Sequence, residues 1–162
     1  MPKTLVLVRH AKSAWPKDVA DHDRPLAKRG RRDAPAVGRW LKEQAVLPQV
    51  ALVSSARRAV ETADLISSEL EPAPRQIVTD EAYGASRAEL LELVRTLPAE
   101  SDVALLVGHN PGIESFAAML TKRASESGEF RTSAVAVFEF EGDWDSVDER
   151  GGRLVAFAVP RG

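Results

Sequence analysis

The chain has 162 residues, of which 44% are hydrophobic and 28% are charged. These values are typical of a single globular domain, which we expect over residues 1–162, with a core that needs no disulfide or structural metal. The formal net charge of −2 gives no overall attraction for nucleic acid or anionic membranes, and the absence of cysteine excludes disulfides and thiolate catalysis. Any anion-binding site must therefore be a local concentration of positive charge.

The first apolar segment, residues 4–8, is too short for a signal-peptide core or a membrane span and ends at Arg9 and His10. No other stretch approaches membrane length. We therefore expect a cytoplasmic protein without a membrane partner, and we interpret this segment as a buried strand.

Further apolar runs predict strands at residues 50–53 and 103–107, with a weaker one around residues 76–78. Between these runs, apolar residues recur at helical spacing. They are Val37, Trp40 and Leu41 after Gly30, then Ala59, Ala63, Ile66 and Leu70. The pattern predicts strands that alternate with helices.

The second half of the chain carries helix-start signals. Ser86 and Glu89 have the spacing of a capping box, and Asn110 and Pro111 resemble an N-cap and first helical position. Residues 134–140 and 153–159 are strand-like and are separated by a glycine-containing polar segment, which predicts an antiparallel pair.

These elements together predict the α/β class. We expect a three-layer α/β/α sandwich whose central sheet is mostly parallel, with an antiparallel C-terminal edge. Ligands of such sheets bind beyond the carboxyl ends of the strands. The residues that follow each strand are therefore the candidates for chemistry.

Imidazole and guanidinium groups follow three of the predicted strands. Arg9 and His10 end the first strand, Arg58 lies in the first helical turn after the second, and His109 follows the run at residues 103–107. Helix N-termini and arginines both favour phosphate oxygens. The sequence therefore predicts a phosphate pocket that contains two histidines.

Metal binding is the alternative role for these histidines. No two of the three histidines have the i, i+4 spacing of a helical zinc site, and Arg9 beside His10 repels a divalent cation. We expect no metal. We interpret His22 as a loop residue between two aspartates, without a role in the pocket.

Three motifs resemble those of the histidine phosphatase superfamily, also called the phosphoglycerate mutase-like family. Residues 7–10 are Leu-Val-Arg-His, residues 54–63 are Ser-Ser-Ala-Arg-Arg-Ala-Val-Glu-Thr-Ala, and residues 107–110 are Val-Gly-His-Asn. Residues 9–13, Arg-His-Ala-Lys-Ser, and residues 23–26, Asp-Arg-Pro-Leu, are similar to the SixA-type phosphohistidine phosphatases. The resemblance spans nearly the whole chain.

The resemblance implies a role for each matched residue. His10 is the nucleophile, Arg9 and Arg58 bind phosphate, and His109 contacts phosphate and the transition state. Arg24 matches a further phosphate or substrate contact, with an ordinary solvated loop arginine as the alternative.

The residue that would protonate the leaving group stays open at this point. Asp80 and Glu81 lie in the region between the second and third motifs where mutase-like relatives carry a glutamate. A solvated acidic pair at a loop entrance explains them equally well. An imidazole leaves phosphorus more readily than an alkoxide, so a site without an acid suits the P–N bond of phosphohistidine.

The resemblance therefore implies a cofactor-free phosphatase that acts on a phosphohistidine-bearing protein domain. The alternatives are a phosphatase or mutase for a small phosphorylated metabolite and, outside enzymes, a non-catalytic phosphate-binding module. No nucleic-acid or membrane partner is expected, and the sequence carries no signal for an oligomeric state.

Overall fold

The structure, a computed structural model, describes residues 2–123 and 128–162. In this part of the chain there are six strands and four α-helices. The strands are β1 Lys3–Arg9, β2 Val50–Ser54, β3 Arg75–Thr79, β4 Val103–Gly108, β5 Val135–Phe140 and β6 Arg153–Ala158. The helices are α1 Lys28–Glu43, α2 Arg57–Ser67, α3 Arg87–Arg95 and α4 Gly112–Leu120.

The strands form one sheet in the order β3-β2-β4-β1-β5-β6. Strands β1 to β4 run parallel to their neighbours among these four, β5 is antiparallel to β1, and β6 is antiparallel to β5. The mostly parallel sheet with an antiparallel C-terminal edge is therefore confirmed.

Helices cover both faces of the sheet. Side chains alternate between the two faces along each strand, so neighbouring residues of one strand pack against different helices. Val6 and Val8 of β1 pack in one apolar cluster with residues of α1 and α2. Leu5 and Leu7 pack in the other cluster with residues of α3 and α4. The three-layer sandwich is thus confirmed. No helix within residues 2–123 and 128–162 combines the length and apolar character needed to cross a membrane.

Helix α1 begins at Lys28, and its Gly30 packs against the Lys12 carbonyl, where a Cβ would lie 2.1 Å from the oxygen. One helix boundary differs from the prediction. Helix α4 begins at Gly112 with Pro111 as its N-cap, one residue later than expected. The Asn110 side chain still accepts a hydrogen bond, at 3.3 Å, from the Glu114 N–H in the first turn. The capping box of α3 at Ser86 is confirmed.

Candidate active site

The register of the sheet places the two predicted histidines side by side. Arg9 of β1 is paired with Gly108 of β4, so His10 and His109 follow directly after paired residues. Their ring centroids lie 5.1 Å apart. Strand β2 is the other neighbour of β4, and the hydroxyl oxygen of its last residue, Ser54, lies 2.7 Å from His109 Nε2. The carboxyl ends of three adjacent strands thus build one site.

A backbone carbonyl fixes the tautomer of His10. Nδ1 of this buried ring lies 2.8 Å from the Ala11 carbonyl oxygen. Because a carbonyl oxygen only accepts hydrogen bonds, Nδ1 must carry the proton. Nε2 therefore keeps its lone pair free, which is the state that a nucleophile needs. The Thr62 hydroxyl accepts a hydrogen bond from the Ala11 N–H at 3.0 Å and donates one to the Arg58 carbonyl at 2.7 Å, which holds the loop after His10 against α2.

Burial keeps His10 uncharged. It lowers the pKa of His10 to about 3, the nearby His109, Arg58 and Arg9 further disfavour a positive charge on the ring, and the hydrogen bond to Ala11 opposes the effect. Burial and the charge of Arg58 likewise lower the pKa of His109 to about 4. Both imidazoles are therefore neutral at pH 7.

The lowered pKa of His10 predicts a loss of stability in mild acid. An unfolded histidine has a pKa of about 6.5, so below that pH the unfolded chain binds a proton that folded His10 does not bind until about pH 3. We expect this histidine alone to reduce the free energy of unfolding by about 2 kcal/mol between pH 7 and pH 5. Urea unfolding of the wild type and of His10→Asn at both pH values measures this loss in the free energy of unfolding. An equal pH dependence in the two proteins contradicts the expectation.

Two arginines lie near enough to His10 to lower its pKa, Arg58 and Arg9. Arg58 is buried, and its Nη1 and Nη2 donate to the Asp21 carbonyl at 2.7 Å and to the Asp21 carboxylate at 3.1 Å. Nη1 of Arg9 donates to the Phe130 carbonyl at 3.1 Å. Within the described residues, Arg9 Nε, Arg58 Nε and His109 Nδ1 are buried without a hydrogen-bond partner. Because unpaired buried polar nitrogens are unfavourable, these three atoms are candidates for contact with a bound anion.

Asp21 is a site residue that the sequence analysis missed. Its carboxylate accepts hydrogen bonds from Arg58, from Arg24 Nη1 at 2.8 Å and from the Tyr83 hydroxyl at 2.5 Å. The hydrogen bond from Tyr83 lowers the pKa of Asp21 most, followed by those from the two arginines, while desolvation opposes them. The same hydrogen bond raises the pKa of Tyr83. Asp21 is therefore an ionised partner of the arginines. The sequence offered one sign of this contact, because Asp21 stands three residues before Arg24.

Arg24 is a buried member of this cluster and is not solvated. Besides Asp21, it donates to the Ala14 carbonyl at 3.0 Å and to the Ser13 hydroxyl. Its guanidinium carbon lies 3.3 Å from the ring centroid of the exposed Trp15. Arg24 is thus held through all three of its nitrogens, whereas Arg9 and Arg58 each keep a buried Nε without a partner.

His22 lies closer to the site than its interpretation as a plain loop residue between two aspartates suggests. A short 3-10 helix, Asp21–Asp23, carries it there, where its Nε2 lies 2.8 Å from the Ser55 hydroxyl. Its ring meets Tyr83 edge-on at 4.9 Å, and Tyr83 meets His109 at 5.6 Å. His22 therefore lines the rim of the site through Tyr83.

The acidic pair after β3 does not enter the site. Asp80 and Glu81 are both exposed. Glu81 lines a separate cavity of about 420 Å³ beside α3. Among the described residues, no side-chain hydrogen bond or ion pair joins Asp80 or Glu81 to either histidine of the site. Nor does any group of three or more His, Asp or Glu residues in residues 2–123 and 128–162 have an arrangement that could hold a metal ion.

Comparison with known proteins agrees with this geometry. The family model for the histidine phosphatase superfamily (branch 1) matches residues 5–126. An uncharacterized protein of Mycobacterium tuberculosis is 35% identical over 164 residues, which cover 95% of this chain and 100% of that protein. The structure of a candidate phosphohistidine phosphatase SixA from Nakamurella multipartitia has a TM-score of 0.89 at 29% identity, and the match covers 99% of this chain and 97% of that chain.

A structure of the protein histidine phosphatase SixA complexed with tungstate has a TM-score of 0.82 at 23% identity, and the match covers 97% of each chain. At this identity the likeness shows the fold. The resemblance expected from the three sequence motifs is confirmed by the family match: the chain belongs to branch 1 of the histidine phosphatase superfamily and has the phosphoglycerate mutase-like fold.

Proposed function

We propose that the protein is a metal-independent phosphatase that removes the phosphoryl group from phosphohistidine in a protein, through a covalent phospho-His10 intermediate. The observation that carries this proposal is the set of buried nitrogens without partners, Arg9 Nε, Arg58 Nε and His109 Nδ1, in the site of a neutral His10. A phosphoryl group presents three oxygens and negative charge to arginine N–H groups. His109 would donate to it as well in the tautomer that carries the proton on Nδ1.

In the first step, His10 Nε2 attacks phosphorus and the P–N bond of the substrate breaks. The departing ring is released as neutral imidazole once its other nitrogen carries a proton. Charge on the equatorial oxygens is stabilised by Arg9, Arg58 and His109, which replaces the charge that a magnesium ion supplies in other phosphoryl transfers.

In the second step, water attacks phosphorus, the bond to His10 Nε2 breaks, and inorganic phosphate forms as the water releases one proton to solvent. The Ala11 carbonyl accepts the hydrogen bond from His10 Nδ1–H throughout. Phospho-His10 therefore keeps a proton on its second ring nitrogen, and His10 leaves as the neutral imidazole with which the cycle began. The covalent intermediate divides one displacement into two easier ones.

The ionised state of Asp21 supports phosphohistidine over phosphate esters. An alkoxide leaving group needs a proton donor. Asp21 is the carboxyl group bound to Arg58 and Arg24, and its pKa is lowered by Tyr83, Arg24 and Arg58, so it has no proton to give near pH 7. An imidazole leaving group does not need that proton. The names of the SixA structures with the same fold are consistent with this substrate class.

Phosphate release from a histidine-phosphorylated protein and from a phosphoserine peptide, measured side by side with and without EDTA, tests the proposal. We expect fast, EDTA-insensitive release from phosphohistidine and at least about 100-fold slower release from phosphoserine. Faster release from small phosphate esters would indicate a metabolite phosphatase instead. Phosphate binding without release from any substrate would indicate a binding module.

A further inference from the structure

A basic cavity shares Arg9 with the candidate active site. It has a volume of about 590 Å³, and its lining includes Arg9, Lys12, Arg29, Arg131 and Arg161, with Glu129 as the acidic member. Five cationic residues thus line one opening of a chain whose formal net charge is −2. We call this surface the basic cavity.

Part of this charge is compensated inside the protein. The buried Asp33 carboxylate lies 3.6 Å from Arg29 and 3.1 Å from Arg161. Lys12 and Arg131, in contrast, are exposed and form no ion pair within the part of the chain that the structure describes. The uncompensated charge of the basic cavity therefore rests on these two residues and on Arg9, which also forms no ion pair within the described residues.

The start of α1 adds to the same positive surface. Lys28, Arg29, Arg31 and Arg32 are exposed at its beginning, and its first turn has no acidic residue. Cations at a helix N-terminus are unfavourable, because they oppose the helix dipole and repel one another. This arrangement weakens the isolated helix, whereas an anionic partner would stabilise it.

We propose that the basic cavity and the first turn of α1 dock an acidic segment of the protein that carries the phosphohistidine. The inference rests on the proposed function, since Arg9 belongs both to the phosphate site and to the cavity wall. A protein segment fits better than a small anion because Lys28, Arg31 and Arg32 extend the charge beyond the cavity along α1. Complementary charges of this kind accelerate association and select partners, and salt screens them.

Two unphosphorylated fluorescent peptides of equal length test docking separately from turnover. Both contain one central histidine, flanked by glutamates in the first peptide and by glutamines in the second. At low ionic strength we expect the wild type to bind the glutamate peptide at least about tenfold more tightly by fluorescence polarisation, and we expect added salt to abolish the difference.

Lys12→Glu and Arg131→Glu should each weaken binding of the glutamate peptide by roughly fivefold or more, with little effect on the glutamine peptide. Arg75→Glu is the matched control, because Arg75 is an exposed arginine at the start of β3, at the opposite edge of the sheet. It makes the same change in net charge and should leave binding unchanged. Hydrolysis of phosphoramidate, a small substrate without an acidic segment, should be the same in all four proteins.

Equal affinity for the two peptides, or an equal effect of Arg75→Glu, would overturn the docking surface. Inhibition by methylenebisphosphonate that depends on Lys12 and Arg131, without preference for the glutamate peptide, would assign the cavity to a small anion and also overturn it. Failure of the proposed function looks different: the peptides would bind as expected, but their histidine-phosphorylated forms would not be hydrolysed.

Discussion

Replacement of His10 by alanine is expected to abolish the phosphoenzyme and to reduce phosphate release from phosphohistidine by at least about 10³-fold. The variant lacks the Nε2 lone pair that the Ala11 carbonyl keeps available. Arg9, Arg58 and His109 remain, so binding of inorganic phosphate should survive. Single-turnover phosphate release and phosphate binding, measured on the same preparations, separate the two effects.

The chemical stability of the trapped intermediate identifies the nucleophile. A phosphoenzyme on His10 is labile in acid and stable in alkali, as expected for a P–N bond. The hydroxyl groups of Ser54 and Ser55 lie near the same site, through their hydrogen bonds to His109 and His22. An alkali-labile phosphoenzyme that persists in His10→Ala would assign the nucleophile to a serine and contradict the proposed mechanism.

Replacement of Arg58 by alanine is expected to lower kcat/KM by about 10²- to 10⁴-fold. The estimate assumes the loss of about two hydrogen bonds from a charged donor to the phosphoryl oxygens, at about 1.5–3 kcal/mol each. Asp21 would keep its bonds from Arg24 and Tyr83, so the substitution does not leave this carboxylate unpaired. Steady-state kinetics with a histidine-phosphorylated protein measures the loss.

Arg57 provides the matched control for Arg58. It is the preceding residue on α2, but its side chain is 55% exposed and pairs with Glu61 at 3.4 Å. Arg57→Ala should change kcat/KM by less than about threefold, because exposed ion pairs contribute little. Arg58→Lys should restore only part of the rate, since a lysine lacks the planar fork of the guanidinium. Equal losses in Arg57→Ala and Arg58→Ala would contradict the assignment.

Local patterns in the sequence were sufficient to predict most of the fold. Continuous apolar runs and helical spacing depend on short-range regularities, so every predicted strand is present, and the helices differ only at their ends. The parallel direction of the first four strands also follows from the alternation of strands and helices. The ends of β1 and β4 could therefore be recognised as places for chemistry, and adjacent pairing of these two strands brings His10 and His109 together.

The tertiary structure decided which side chains lie around those histidines. Asp21, His22 and Tyr83 lie in short irregular segments whose positions depend on contacts with distant residues. The Tyr83 hydroxyl and the Asp21 carboxylate, for example, are 62 positions apart in the chain. Spacing along the chain gives no sign of such contacts, which is why the sequence analysis offered Asp80 and Glu81 as acids and assigned no role to His22.

The sequence by itself determined the class of fold and the positions of the two histidines and the arginines that we propose bind phosphate, because each follows a strand or begins a helix that local pattern reveals. Only the tertiary structure decided the tautomer and charge of His10, the ionised state of Asp21 and the existence of the basic cavity. Those properties arise from burial and from charges contributed by separate segments, and they exist only once the chain has folded.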